Sequence, residues 1–137
     1  MSNFRIDDNM SPDDESTVIR GLLSFNEDWI GPVNEKPVKL VARDDEGIIG
    51  GLIGLIRWRW LYVGKLWVHE RARGRGVGTQ LITAAEDLAR SHGCTGASLD
   101  TFEYQARPFY EKLGYELFGT LDGYPPGYRQ FYLRKRL

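Results

Sequence analysis

The segment Leu66-Trp67-Val68-His69-Glu70-Arg71-Ala72-Arg73-Gly74-Arg75-Gly76-Val77-Gly78-Thr79 carries an apolar strand pattern through a basic, glycine-rich turn into an amphipathic helix. Such a turn aims several unpaired backbone N–H groups at one point in front of a helix, which suits a phosphate-bearing ligand. Gly74, Gly76 and Gly78 lack Cβ atoms, so the turn can take unusual φ values and let an anion come close to the backbone. Arg71, Arg73 and Arg75 raise the local positive potential. Beyond the turn, Val77, Leu81, Ile82, Ala85, Leu88 and Ala89 recur at helical spacing, while Gln80, Glu86, Asp87 and Arg90 fall mainly on the other face. One face of this helix therefore anchors on a sheet while its N-terminus stays at the ligand. A diphosphate fits this arrangement. A nucleotide-hydrolysing P-loop is excluded because no Gly-Lys-Ser or Gly-Lys-Thr opens the helix, and a dinucleotide fold because the glycine spacing differs and an apparent hairpin precedes the turn.

The rest of the chain reads as strands and helices around that turn. An edge strand is expected over residues 4–6. Ser11, Pro12 and the acidic run Asp13-Asp14-Glu15 mark a helix start, and Gly31-Pro32 its end. That helix is read as one wall of an acceptor site or as structural cover. Strands are expected over 38–43 and 48–56, with 57–60 as a tight connection into a strand over 61–68. The Arg and Trp residues of that connection read as an aromatic cap on the sheet rather than an anion site. Gly93 breaks the helix before a strand over 97–101. Pro108 opens a helix carrying Phe109, Tyr110 and Leu113 that stops at Gly114. A strand over 115–120, a loop over 122–127 and a strand over 128–133 complete an α/β fold. Its length of 137 residues suits one domain over 1–137. With 18 basic and 19 acidic residues, net charge gives no support to nucleic-acid binding. No apolar run approaches a membrane span, and the single Cys94 suits a reducing cytoplasm. His69, His92 and Cys94 form no metal-ligand spacing, so no metal is expected.

Arg73-Gly74-Arg75-Gly76-Val77-Gly78 matches the acetyl-coenzyme A motif of the GCN5-related N-acetyltransferase (GNAT) superfamily: Arg or Gln, two variable residues, Gly, one residue, then Gly or Ala. The chain resembles that family again over 103–115, where Ala106, Tyr110 and the Gly114-Tyr115 step match and Glu103 stands at a usual Asn position. The resemblance is strong over about residues 38–120 and is closest to a small bacterial subgroup whose acceptors are poorly defined. It implies a mixed, mostly antiparallel central sheet with helices on both faces. It implies acetyl-CoA as cosubstrate, its diphosphate on the backbone of Arg73, Gly74, Arg75, Gly76, Val77, Gly78 and Thr79. Leu66, Trp67 and Val68 belong to the strand facing the pantetheine arm, and an N–H from Trp67 or Val68 polarises the thioester.

Acetyl transfer needs a neutral amine, a positioned thioester and a proton for the departing sulfur; bringing the reactants together supplies much of the rate without a covalent acyl-enzyme. The resemblance makes Tyr110 the proton donor. Glu103 is the preferred base or water-mediated contact, with Asp100 and Asp122 as alternatives; Glu70 lies beside the turn, which does not place its carboxylate beside the acceptor. Tyr104, Tyr124 and Tyr128, with acidic Asp122, are expected to surround an amine, favoured as a small molecule over a protein amino group. The terminal hairpin is a candidate homodimer contact. A coenzyme A sensor without catalysis and a protein-interaction module are the competing classes.

Overall fold

Ser11 sets where the first helix begins. Its Oγ accepts the Asp14 N–H at 3.1 Å, and the Asp14 carboxylate accepts the Ser11 N–H at 3.1 Å. This reciprocal cap, with Pro12 in the first turn, starts α1 (Pro12–Ile30). Gly31, at φ 77°, ends it by donating its N–H to the Glu27 carbonyl. The computed structural model describes residues 3–137, and α1 belongs to a unit of residues 1–33 in which none of its residues is buried. The strand expected over 4–6 does not form: Phe4 and Ile6 are almost wholly exposed and unpaired. Three residues without a partner strand form too few contacts to offset the entropy of ordering them.

Residues 34–137 form the second unit. In chain order it contains β1 (Lys36–Asp44), β2 (Gly47–Arg57), β3 (Trp60–Val68), a 3-10 turn (Glu70–Ala72), α2 (Val77–Ser91), β4 (Gly96–Phe102), α3 (Arg107–Lys112), β5 (Glu116–Asp122) and β6 (Arg129–Arg136). Among the described residues the sheet has six strands in the order β1-β2-β3-β4-β6-β5. Only the β3–β4 pair is parallel, so the mixed, mostly antiparallel sheet is as expected. Trp58 and Arg59 turn β2 into β3 with φ of 48° and 63°, the paired positive values of a two-residue hairpin. The Trp60 ring then covers Gly96, where a Cβ would lie only 2.6 Å from it. The last strand runs beyond 133 because β4 pairs with it as far as Gly96↔Arg136.

One core joins the sheet to both helices of this unit. Leu52, Leu61 and Leu133 pack with Ile82, Ala85 and Ala89 of α2 and with Tyr110 of α3. Gly50 lets the start of α2 close on the sheet, since a Cβ there would sit 3.0 Å from the Trp67 carbonyl and 3.1 Å from Val77. The glycine-rich turn is thereby held against the end of β3. One residue departs from its expected side of α2. Glu86, placed by periodicity on the polar face, is 4% exposed; its carboxylate accepts the Tyr115 hydroxyl at 2.8 Å and the Lys135 ammonium at 3.0 and 3.1 Å.

Candidate active site

The site begins where the only parallel pair among the described strands comes apart. β3 and β4 pair from Trp60↔Gly96 to Val63↔Leu99 and no further, although β3 runs on to Val68 and β4 to Phe102. The β2–β3 register also shifts between Ile53 and Gly54, making Gly64 an extra residue. The two strands diverge around a cavity of about 900 Å³, lined by residues 63–68 on one side and by Asp100 and Thr101 on the other. Backbone groups of β3 beyond Val63 are thus left to pair with an extended ligand rather than with β4.

At one end of the cavity lies the glycine-rich turn. Gly74 and Gly76 both stand at φ 78°, a conformation that excludes most side chains. The first intrahelical bond runs from the Gln80 N–H to the Gly76 carbonyl at 3.0 Å. The N–H groups of Val77, Gly78 and Thr79 therefore have no intrahelical acceptor, and no acidic residue occupies the first turn to compete with an anion. Leu66, Trp67, Val68, Arg73, Gly74, Gly76, Val77, Gly78 and Thr79 all line the cavity; Arg75 does not. These residues fit a diphosphate joined to a narrow arm. Gly76→Ala is expected to cost about 1–2 kcal/mol of stability through its left-handed φ and to weaken coenzyme A binding. Unchanged melting temperature and unchanged affinity by calorimetry would reject the strained cradle.

The three arginines of the turn have different partners. Arg71 grips Asp44 with two bonds, at 2.7 and 3.0 Å, and reaches Glu46 at 3.3 Å; Arg75 lies 3.9 Å from Asp44. Arg73 alone of the three faces the cavity. The hydrogen bonds from Arg71 hold the Asp44 carboxyl at about 2, below its ordinary 3.8. A depressed carboxylate stabilises the fold above its unfolded value and loses that effect as pH falls through the folded one. The clamp should survive acidification past 3.8 and fail toward about 2. A carboxyl-carbon NMR titration of Asp44 centred near 3.8 would contradict this.

Tyr104, Gln105, Phe109 and Tyr110 also line the cavity, with Phe109 so close to the glycine-rich turn that a Cβ on Gly78 would lie 3.2 Å from its ring. Tyr110 is 8% exposed. Burial first, and the charge of Asp100 second, push its phenol above the ordinary value of 10, so it stays protonated at neutral pH. β4 alternates Leu99 and Thr101 into the core with Ser98, Asp100 and Phe102 on the other side. Asp100 accepts the Tyr62 hydroxyl at 2.6 Å and the Gln130 side-chain amide at 2.9 Å. That bond to Asp100 pushes the Tyr62 phenol up to about 12.

The remaining expected residues lie outside the cavity lining. Glu103, the preferred base, is clamped by Arg129: the guanidinium donates at 2.7 and 3.1 Å and the backbone N–H at 3.1 Å. These bonds lower its pKa and leave it a poor proton acceptor. Tyr124 and Tyr128 border Tyr104 through an aromatic chain, Phe102–Tyr124 at 5.6 Å, Phe102–Tyr104 at 5.8 Å and Tyr104–Tyr128 at 5.0 Å between centroids. Asp122 sits at the end of β5 opposite Arg129. Lys65, Thr101 and Gln105 are lining residues the sequence left unmarked. Gln105 alone carried a local signal: its side-chain oxygen accepts the Phe102 N–H at 2.7 Å, closing the turn after β4. Cys94 is buried, which raises its thiol pKa, and no group of three or more His, Cys, Asp or Glu among the described residues is arranged to hold a metal. No described helix is long and apolar enough to cross a membrane.

Comparison with known proteins agrees with this geometry. The model of the Acetyltransferase (GNAT) family matches residues 4–115. Blasticidin-S acetyltransferase of Streptomyces morookaense is 44% identical over 91 residues, 66% of this chain and 67% of that one. An acetyltransferase structure from Bacillus cereus ATCC 14579 superposes with a TM-score of 0.89 at 31% identity, over 97% of this chain and 98% of its own. An acetyltransferase of Bacillus anthracis str. Ames, named for streptothricin and solved in complex with acetyl coenzyme A, matches with a TM-score of 0.67 at 25% identity, over 74% of this chain and 62% of its own.

Proposed function

Because the chain belongs to the GNAT acetyltransferase family, we propose that it transfers the acetyl group of acetyl coenzyme A to a primary amine of a small molecule by direct attack in a ternary complex. The observation that carries this reading is one continuous cavity reaching from the cradle at residues 73–79 to Tyr110 and Asp100. The cosubstrate supplies the activated thioester. The cradle binds the diphosphate, β3 aligns the arm, and an N–H of Trp67 or Val68 polarises the thioester carbonyl. Tyr110 faces the departing sulfur and donates its hydroxyl hydrogen there. The amine arrives as an ammonium and releases a proton before its nitrogen bonds the acetyl carbon. As the C–S bond breaks and the amide forms, the nitrogen loses a second proton and the sulfur gains one. One proton is released overall.

The relatives named for blasticidin-S and streptothricin favour a small-molecule acceptor over a protein amino group. Purified protein given acetyl coenzyme A and a panel of small amines should release free coenzyme A only when an acceptor is present. Tight coenzyme binding without acceptor-dependent release across the panel would instead indicate a sensor.

A further inference from the structure

We infer that Asp100, fixed by Tyr62 and Gln130 at the mouth of the β3–β4 opening, binds the acceptor's ammonium, and that the acceptor joins this cation to a flat, unsaturated body. The inference rests on the transfer reading above and specifies the other half of the same site.

Asp100 differs from the other acids that structure this unit. Asp44 is paired with Arg71, Glu86 with Lys135 and Glu103 with Arg129. Among the described residues, Asp100 has no lysine, arginine or histidine within ion-pair distance. Its partners are neutral donors, one on each oxygen: the Tyr62 hydroxyl at 2.6 Å and the Gln130 amide at 2.9 Å. Gln130 is held in turn, because its oxygen accepts the Tyr132 hydroxyl at 2.8 Å. A carboxylate offers about four acceptor sites, so two bonds leave about two unfilled. Asp100 lines the cavity, and a fixed, uncompensated carboxylate there attracts a cation.

The walls beside it set the rest of the class. Phe102 follows Asp100 by two residues and shares its side of β4. Tyr104, which lines the cavity, stacks on Phe102 and meets Tyr128 edge-on. Tyr104, the one of these three rings that lines the cavity, offers an aromatic surface that accepts a flat body and adds cation–π attraction to an ammonium.

Phenethylamine and 2-phenylethanol share one body and differ in charge, and calorimetry on protein saturated with coenzyme A compares them directly. Wild-type protein should prefer the amine by about tenfold or more, and Asp100→Asn should abolish that preference while leaving coenzyme affinity unchanged. Tyr62→Phe, which removes one tether but not the charge, should reduce the preference by about threefold. Absence of a preference in wild type, or an equal preference in wild type and Asp100→Asn, overturns the inference. In wild-type protein alone, the side-chain carboxyl carbon NMR signal of Asp100 should move with the amine and not with the alcohol; no movement also overturns it. Amine held in this way without release of free coenzyme A from acetyl coenzyme A would refute the transfer reading alone. Release with other amines, without discrimination by charge, would refute this inference alone.

Discussion

Tyr110→Phe should lower the rate of acetyl transfer by about a hundredfold while leaving coenzyme A affinity within about twofold. The substitution removes one oxygen and keeps the ring, which packs against Phe109 and Tyr115 at centroid distances of 5.1 and 6.1 Å. The fold should therefore be conserved. A phenol raised by burial and by Asp100 is a poor acid but a persistent hydrogen-bond donor. Its contribution is then greatest as negative charge builds on sulfur beside a buried hydroxyl, where a fixed donor is worth far more than in solution. The effect should appear in kcat rather than in the KM for acetyl coenzyme A, because the bond strengthens only as the thioester breaks. Single-turnover release of free coenzyme A measures this step directly. An unchanged rate would remove Tyr110 from the chemistry.

The glycine-rich turn and its flanking strand and helix were legible in the sequence because these parts are contiguous. Strand, turn and helix follow one another over residues 66–79, and backbone geometry enforced by glycine needs no distant partner. Periodicity likewise located α2, and the Ser11 and Gly31 signals bounded α1. The surroundings of Asp100 were not legible in the same way. Asp100 gains its meaning from Tyr62 and Gln130, 38 and 30 residues away, which reach it only because β4 lies between β3 and β6. Glu103 looked available because its partner Arg129 is 26 residues on. Both cases turn on sheet order, which local pattern does not encode. The unpaired segment at 4–6 is the converse, a local apolar signal that tertiary structure does not use.

Glu86→Leu should cost about 3 kcal/mol and lower the melting temperature by roughly 10 °C. The carboxylate is only 6% exposed by side chain, and it receives both the Lys135 ammonium and the Tyr115 hydroxyl. Burial, then the bond to Glu86, raises the Tyr115 phenol far above its ordinary value, so this hydroxyl remains a donor. Leucine at the same point of α2 would fill much of the volume yet leave a partly buried ammonium and a phenol without their acceptor. Lys135 retains 22% side-chain exposure and can recover some hydration, which places the cost at the low end for a broken buried pair. Removing the second charge as well should restore part of the loss. Glu86→Leu with Lys135→Met is therefore expected to be more stable than Glu86→Leu alone, by about 1–2 kcal/mol. Additive losses in urea unfolding of the single and double variants would show that the pair is not coupled. Because Tyr115 lies three residues beyond α3 and its ring meets Tyr110 edge-on, the same triad holds the end of the helix that carries Tyr110. Glu86→Leu should consequently lower turnover as well as stability, with coenzyme affinity changed least.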